Sequence, residues 1–191
     1  MKYIEKTNYQ FDLDQLNFEW NHIKDFVLTK NHWHLNKTSL QHSKDCVNQW
    51  MDYPEGPRSI LGSPGADQRV QSVKCCLIND MYRGTLFETI IDELNVVGSR
   101  IKVIDEHWQG TSVHTDPTKK SHLVLNTNPN AYFIFPENPI EKKATEAIHI
   151  PGEIIHIPAD GYVYNVDTTK PHIFVNAGEG SRTHLIMSHR P

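Results

Sequence analysis

Hydrophobic positions follow two rhythms along the chain, and the change falls near its middle. In the first half Leu13, Leu16, Trp20, Ile23 and Val27 recur at helical spacing, which predicts an amphipathic helix over 14–29. The stretch TLFETIIDELN predicts a second helix. Thr85 and Glu88 have the spacing of a capping box, Phe87, Ile90, Ile91 and Leu94 share a face, and Gly98 is expected to stop it. Between the helices lies MDYPEGPRSILGSPGADQR, residues 51–69, whose Pro and Gly predict a long loop. Loops of that length in compact domains are usually functional or mobile. With hinge-forming residues at both ends, Ile60 and Leu61 in the middle and Arg58 or Arg69 to meet an anion, it suits either a lid or a disordered connector.

From Arg100 onward short alternating runs replace the helical pattern: RIKVIDE, TSVHTD, SHLVLNT, AYFIFP, EIIHIP, GYVYNVD, HIFVN and SRTHLIMSH, with a weaker EAIHI. The turns NPN, PG, ADG and AGEG separate them at hairpin distances. Many short strands so spaced predict an antiparallel barrel or sandwich. At 191 residues the chain suits a single domain, with 1–98 as a helical and loop buttress and 99–191 as the β core.

Composition narrows the function classes. A hydrophobic content of 38% suits a globular protein, and a net charge of −4 without charge blocks points away from nucleic acid and membrane surfaces. The N-terminus lacks the apolar core of a signal peptide, and no window approaches a membrane span. Cys46, Cys75 and Cys76 form neither a disulfide framework nor a C-x-x-C pair, so a reduced, cytoplasmic protein is expected. Cys75 and Cys76 read as strand residues, one of them facing the core. Twelve histidines are many for this length. The HWH at 32–34 reads as structural, as do His149 and His156, and Lys119 and Lys120 read as a solvated turn.

The chemistry concentrates in SVHTDPTKKSHLVLN, residues 112–126. His114 and Asp116 at i and i+2 of an extended segment face the same side, with Cα atoms about 7 Å apart. His172 opens a later strand, with Phe174 and Asn176 on its face; Arg182 enters the last strand with His184 on its face. Two imidazoles and one carboxylate with positions left open is the arrangement of non-heme Fe(II) oxygenases. Arg182, ten residues beyond His172, could then grip the far carboxylate of a dicarboxylic cosubstrate in bidentate fashion. Arg100, Trp108 and Gln109 approach from the first strands as candidate substrate contacts, and Asn176 joins them.

The order H-x-D, distal H and R resembles the 2-oxoglutarate- and Fe(II)-dependent dioxygenases, within them the aspartyl/asparaginyl β-hydroxylase-like branch. GSRIKVIDEHWQGTSVHTD, SHLVLNTNP, YNVDTTKPHIFVNAG and SRTHLI carry the resemblance, which covers roughly the last ninety residues. It implies a double-stranded β-helix, a jelly-roll, cupin-like barrel, buttressed by the N-terminal helices. It also implies that His114, Asp116 and His172 hold Fe(II), that Arg182 anchors the 2-oxoglutarate C5 carboxylate, and that His122 helps hold the cosubstrate; His184, on the face of Arg182, either braces the cosubstrate or faces a wet barrel mouth. O2 would be the oxidant, and the expected reaction hydroxylates an amino acid or a protein or peptide side chain. This chain departs from the branch by keeping Asp116 where the β-hydroxylases have glycine, and Lys120 where they have arginine. The rival expectation is a cupin-like metal- or ligand-binding module without redox turnover, which would have no need of Arg182.

Overall fold

The computed structural model describes residues 3–29, 36–46, 48–50, 58–59, 74–106, 109–138 and 151–190. In chain order these form strand β1 (Ile4–Gln10), helix α1 (Leu13–Thr29), and the short strands β2 (Lys37–Ser39), β3 (Gln41–His42), β4 (Arg58–Ser59) and β5 (Leu77–Ile78). Helix α2 (Leu86–Leu94) follows, then β6 (Val96–Ile104), β7 (Gln109–Gly110), β8 (His114–Thr115), β9 (Lys120–Asn126) and β10 (Ala131–Pro136). The chain ends with β11 (Gly152–Ile155), β12 (Tyr162–Val166), β13 (Ile173–Asn176) and β14 (Arg182–His189). The fold is mainly β with few helices, and every named ladder is antiparallel.

Six strands form the larger sheet in the order β1-β12-β9-β14-β6-β2, and four form a second in the order β11-β10-β13-β7. Among the described residues the two sheets share no ladder, so they do not close into a continuous barrel. Side-chain alternation sorts the larger sheet into two faces. Ile101, Leu123, Leu125, Val163, Leu185 and Met187 pack against Leu16, Trp20 and Val27 of α1 and Phe87, Ile90 and Ile91 of α2. Each such side chain, fully buried, stabilises the fold by about 1.5–3 kcal/mol. The opposite face meets the smaller sheet through Ile104, Val124, Tyr164 and Val166 against Phe133, Phe135, Ile155 and Phe174. The candidate chemistry lies in this inter-sheet layer.

Each of the eight alternating runs contains a strand, but TSVHTD narrows to the two residues of β8, which pair with β4. The first half does more than buttress. β1 and β2 form both edges of the larger sheet, and their polar sequences hid them, because an edge strand needs few apolar side chains. Helix α2 starts at Thr85 without the expected capping box. The Thr85 hydroxyl donates backward to the Tyr82 carbonyl, the Gly84 N–H donates to Glu88, and Glu19 of α1 accepts from the Leu86 N–H. The helix stops at Asn95, which is left-handed at φ 48° and ψ 46°. Gly98, at φ 59°, lies inside β6 where the β6–β14 register shifts, so it serves a bulge instead.

Cys75 is buried and Cys76 exposed as alternation required, though both precede β5 and belong to no strand. Lys120 corrects the solvated-turn expectation: it is buried, and its Nζ donates to the Ser188 hydroxyl at 2.8 Å. Lys119 does remain exposed. No helix among the described residues is long and apolar enough to cross a membrane. The HWH stretch, EAIHI with His149, Trp108, and the 51–69 loop apart from β4 lie outside the described residues.

Candidate metal centre

His114 and His172 are held opposite one another by a reciprocal pair of backbone bonds. The His114 N–H donates to the His172 carbonyl at 3.0 Å, and the His172 N–H donates back at 2.9 Å. Directly opposed residues project to one face, and the two rings lie 4.4 Å apart, centroid to centroid. Asp116 follows two residues after His114, its N–H tied to the Thr168 carbonyl at 2.8 Å. One ligand atom from each of His114, Asp116 and His172 falls within 4.8 Å of the others. Two residues at i and i+2 and a third, His172, brought in by an isolated bridge to His114 just before β13, thus converge on a single point.

The hydrogen bonds decide which nitrogen faces that point. Nδ1 of His114 lies 2.7 Å from the Ser112 carbonyl, and Nδ1 of His172 lies 2.9 Å from the Lys170 carbonyl. A carbonyl only accepts, so both Nδ1 atoms carry the proton and both Nε2 atoms keep a lone pair for a metal. Burial lowers the His114 pKa, and burial together with the neighbouring His114 brings that of His172 down to about 4. Both rings are therefore neutral near pH 7, the form that ligates. The donor set suits a borderline divalent metal with exchangeable positions.

Beside the triad, β9 and β14 carry His122, Arg182 and His184 into the same layer, all buried. None of the four ring nitrogens of His122 and His184 has a hydrogen-bond partner. Burial first, and Arg182 second, lower both histidines well below the ordinary value. Arg182 is fully buried; its Nη1 donates to Thr127 Oγ1 at 2.7 Å and to the Ile157 carbonyl at 2.9 Å. Its Nε and Nη2 have no partner. Those two atoms form one edge of the guanidinium, the edge that pairs side-on with a carboxylate. Burial lowers the Arg182 pKa to about 9, and the group stays charged at pH 7. Phe174 lies under the guanidinium at 5.0 Å, and Phe133 and Phe135 flank the His172 ring at 6.2 and 6.1 Å.

Arg100 stands on the inward face of β6, with its Nη1 buried and unpartnered. Lys102, two residues on, shares that face. Burial, then the charges of Arg100 and Lys37, lower its pKa to about 8 against a raising influence from Asp116. Lys102 is the member that the sequence reading passed over, although it sits in the same quoted run as Arg100. The other expected substrate contacts fare differently. Asn176 is fully buried; its Nδ2 donates to the carbonyls of Ile104, Asp105 and Gly180, and its Oδ1 accepts from Asn128 and the Gly178 N–H. With both ends of the amide engaged, Asn176 pins the turn before β14, and this corrects its assignment as a substrate contact. Gln109 is placed through its backbone alone, paired with Asn176. His156 is tied through Nδ1 to the Ala131 carbonyl, the structural task expected of it.

No family model matches the chain, and no curated protein does. Among solved structures, AviO1 from Streptomyces viridochromogenes Tue57 aligns with a TM-score of 0.46 at 12% identity, covering 99% of this chain and 90% of that one.

Proposed function

We propose that this chain is an Fe(II)- and 2-oxoglutarate-dependent dioxygenase that hydroxylates an amino acid or a protein or peptide side chain. The observation that carries the reading is Arg182. A buried guanidinium with its bidentate edge unpartnered, in the same layer as an open-sided two-histidine, one-carboxylate triad, asks for a dicarboxylate. A metal- or ligand-binding module without turnover gives that edge no task. Two facing antiparallel sheets, with helices on the outer face of the larger one, support reading the fold as a double-stranded β-helix.

In this reading His114, Asp116 and His172 hold the iron, and the carbonyls of Ser112 and Lys170 fix the orientation of its imidazoles. Arg182 binds the distal carboxylate of 2-oxoglutarate through Nε and Nη2. Thr127 and Ile157 hold the guanidinium from its other side, so the edge is presented in advance rather than on binding. His122 and His184, kept neutral by burial, offer donors and acceptors without adding charge to the pocket. Phe133, Phe135 and Phe174 exclude water from the reacting layer. When bound, iron and 2-oxoglutarate supply the oxidising chemistry: O2 is consumed, 2-oxoglutarate leaves as succinate and CO2, and one oxygen atom enters a substrate C–H bond.

The test is succinate release from 2-oxoglutarate with added Fe(II) and O2, screened across amino acids and peptides. Fe(II)-dependent succinate that rises with one substrate class supports the reading. Tight metal binding with no loss of 2-oxoglutarate under any condition would replace it with the binding module.

A further inference from the structure

The positive charge in the inter-sheet layer exceeds what metal and cosubstrate chemistry requires. Resting on the dioxygenase reading, the two charges of Fe(II) and the one of Arg182 are matched by Asp116 and a dianionic 2-oxoglutarate. The buried histidines add nothing, being neutral. Arg100 and Lys102 then remain uncompensated, and among the described residues neither has a carboxylate at ion-pair distance. Like charges two residues apart on one strand face repel, so the fold tolerates this pair at a cost in stability.

The β2–β6 register adds a third group. Ser39 stands directly opposite Arg100, and Lys37 opposite Lys102, so all four project to one face. The Ser39 hydroxyl is buried with no hydrogen-bond partner, as is Nη1 of Arg100. Two unpartnered buried polar groups side by side, next to an uncompensated ammonium, form a donor-rich cluster suited to one kind of occupant, an oxyanion. This cluster adjoins the Arg182 pocket in the same layer. His184 lies opposite Lys102, and Ile186 lies between Arg100 and His122, so Arg100 and Arg182 stand four residues apart along the same inward face.

We propose that Ser39, Arg100 and Lys102 form a subsite for a doubly charged oxyanion, the phosphate of a phosphomonoester group carried by the substrate. The two uncompensated charges match a dianion, the guanidinium supplies directional N–H groups and the hydroxyl adds a neutral donor. A substrate anchored there by its phosphate places the rest of its body toward the triad, because Lys102 lies near Asp116.

Inorganic phosphate is the probe, titrated calorimetrically into the full chain in metal-free form so that no metal competes for it. Saturable binding is expected, weakened at least roughly tenfold in Arg100→Gln and in Lys102→Met, less in Ser39→Ala, and unchanged in Arg182→Lys. Melting temperatures of Arg100→Gln and Lys102→Met are expected to equal or exceed the parent's, since each removes one of the repelling charges of Arg100, Lys102 and Lys37. Phosphate binding indifferent to Arg100→Gln and Lys102→Met, or weakened by Arg182→Lys, would overturn the subsite. Acetate binding as tightly as phosphate would overturn the preference for a dianion. In parallel, 2-oxoglutarate binding to the Mn(II)-loaded protein reports on the dioxygenase reading alone: it should fall in Arg182→Lys and persist in Arg100→Gln. Its absence from the parent would sink that reading without touching the phosphate result.

Discussion

Replacing Arg182 by lysine keeps the charge and removes the fork. In the parent, Nη1 is committed to Thr127 Oγ1 and the Ile157 carbonyl, while Nε and Nη2 remain for a carboxylate. A lysine ammonium reaching the same layer must choose: if it replaces Nη1, nothing faces the carboxylate, and if it faces the carboxylate, the buried Ile157 carbonyl loses its donor. Either way at least one charge-assisted hydrogen bond to 2-oxoglutarate is lost, which costs about 1.5–3 kcal/mol. The apparent 2-oxoglutarate requirement should therefore rise roughly ten- to a hundredfold. In the second case the orphaned carbonyl adds a separate loss of stability of about 1–3 kcal/mol, so a urea melt must establish the folded fraction first. The assay is succinate formation against 2-oxoglutarate concentration at fixed Fe(II). A saturation curve that superimposes on the parent's, with the variant fully folded, would show that the guanidinium edge does not face the cosubstrate.

Asp116→Ala should abolish Fe(II)-dependent turnover while moving the melting temperature little, because Asp116 is only partly buried and fills no core space; full turnover in this variant would break the triad assignment. Asn176→Ala should lower stability by about 2–4 kcal/mol in a denaturant melt, since it strands partners on both ends of a fully buried amide; a loss under 1 kcal/mol would count against its pinning role. The metal-free protein should lose stability as pH falls. His122 and His184 are held well below 6.5 and His172 at about 4 in the folded state, so below about pH 6.5 the unfolded chain binds more protons. The contribution is complete above 6.5 and declines toward pH 4, and a urea midpoint equal at pH 7 and pH 5 would contradict it.

Strand positions in the second half were legible because alternation there is strong and the turns carry Asn, Gly and Pro at hairpin spacing. The convergence of His114, Asp116 and His172 was legible for a related reason: a period-two rule places H-x-D on one face, and a strand start placed His172 nearby. What the pattern could not reveal was pairing. The edge strands β1 and β2 present mostly polar residues, so no hydrophobic period marks them, and the register that puts Ser39 against Arg100 is a long-range fact. Asn176 was misassigned because inward placement alone does not separate a side chain that waits for a ligand from one that is fully bonded to the backbone. Lys120 was read from its neighbours in a basic run, whereas its burial follows from being the first residue of β9. Glu19, acting on the first turn of α2 in place of the expected capping box, is likewise a contact between distant segments.

The most direct measurement is an anaerobic titration of the protein with Fe(II) and 2-oxoglutarate, followed by visible absorption. An α-keto acid chelated to Fe(II) absorbs in the visible through metal-to-ligand charge transfer, so the band reports metal and cosubstrate in one site. It should appear only when both are present, saturate at equimolar iron, vanish in Asp116→Ala, and need more 2-oxoglutarate in Arg182→Lys. No band at saturating iron and 2-oxoglutarate, or a band of full strength in Asp116→Ala, would contradict the assignment of this triad and this arginine to one catalytic centre.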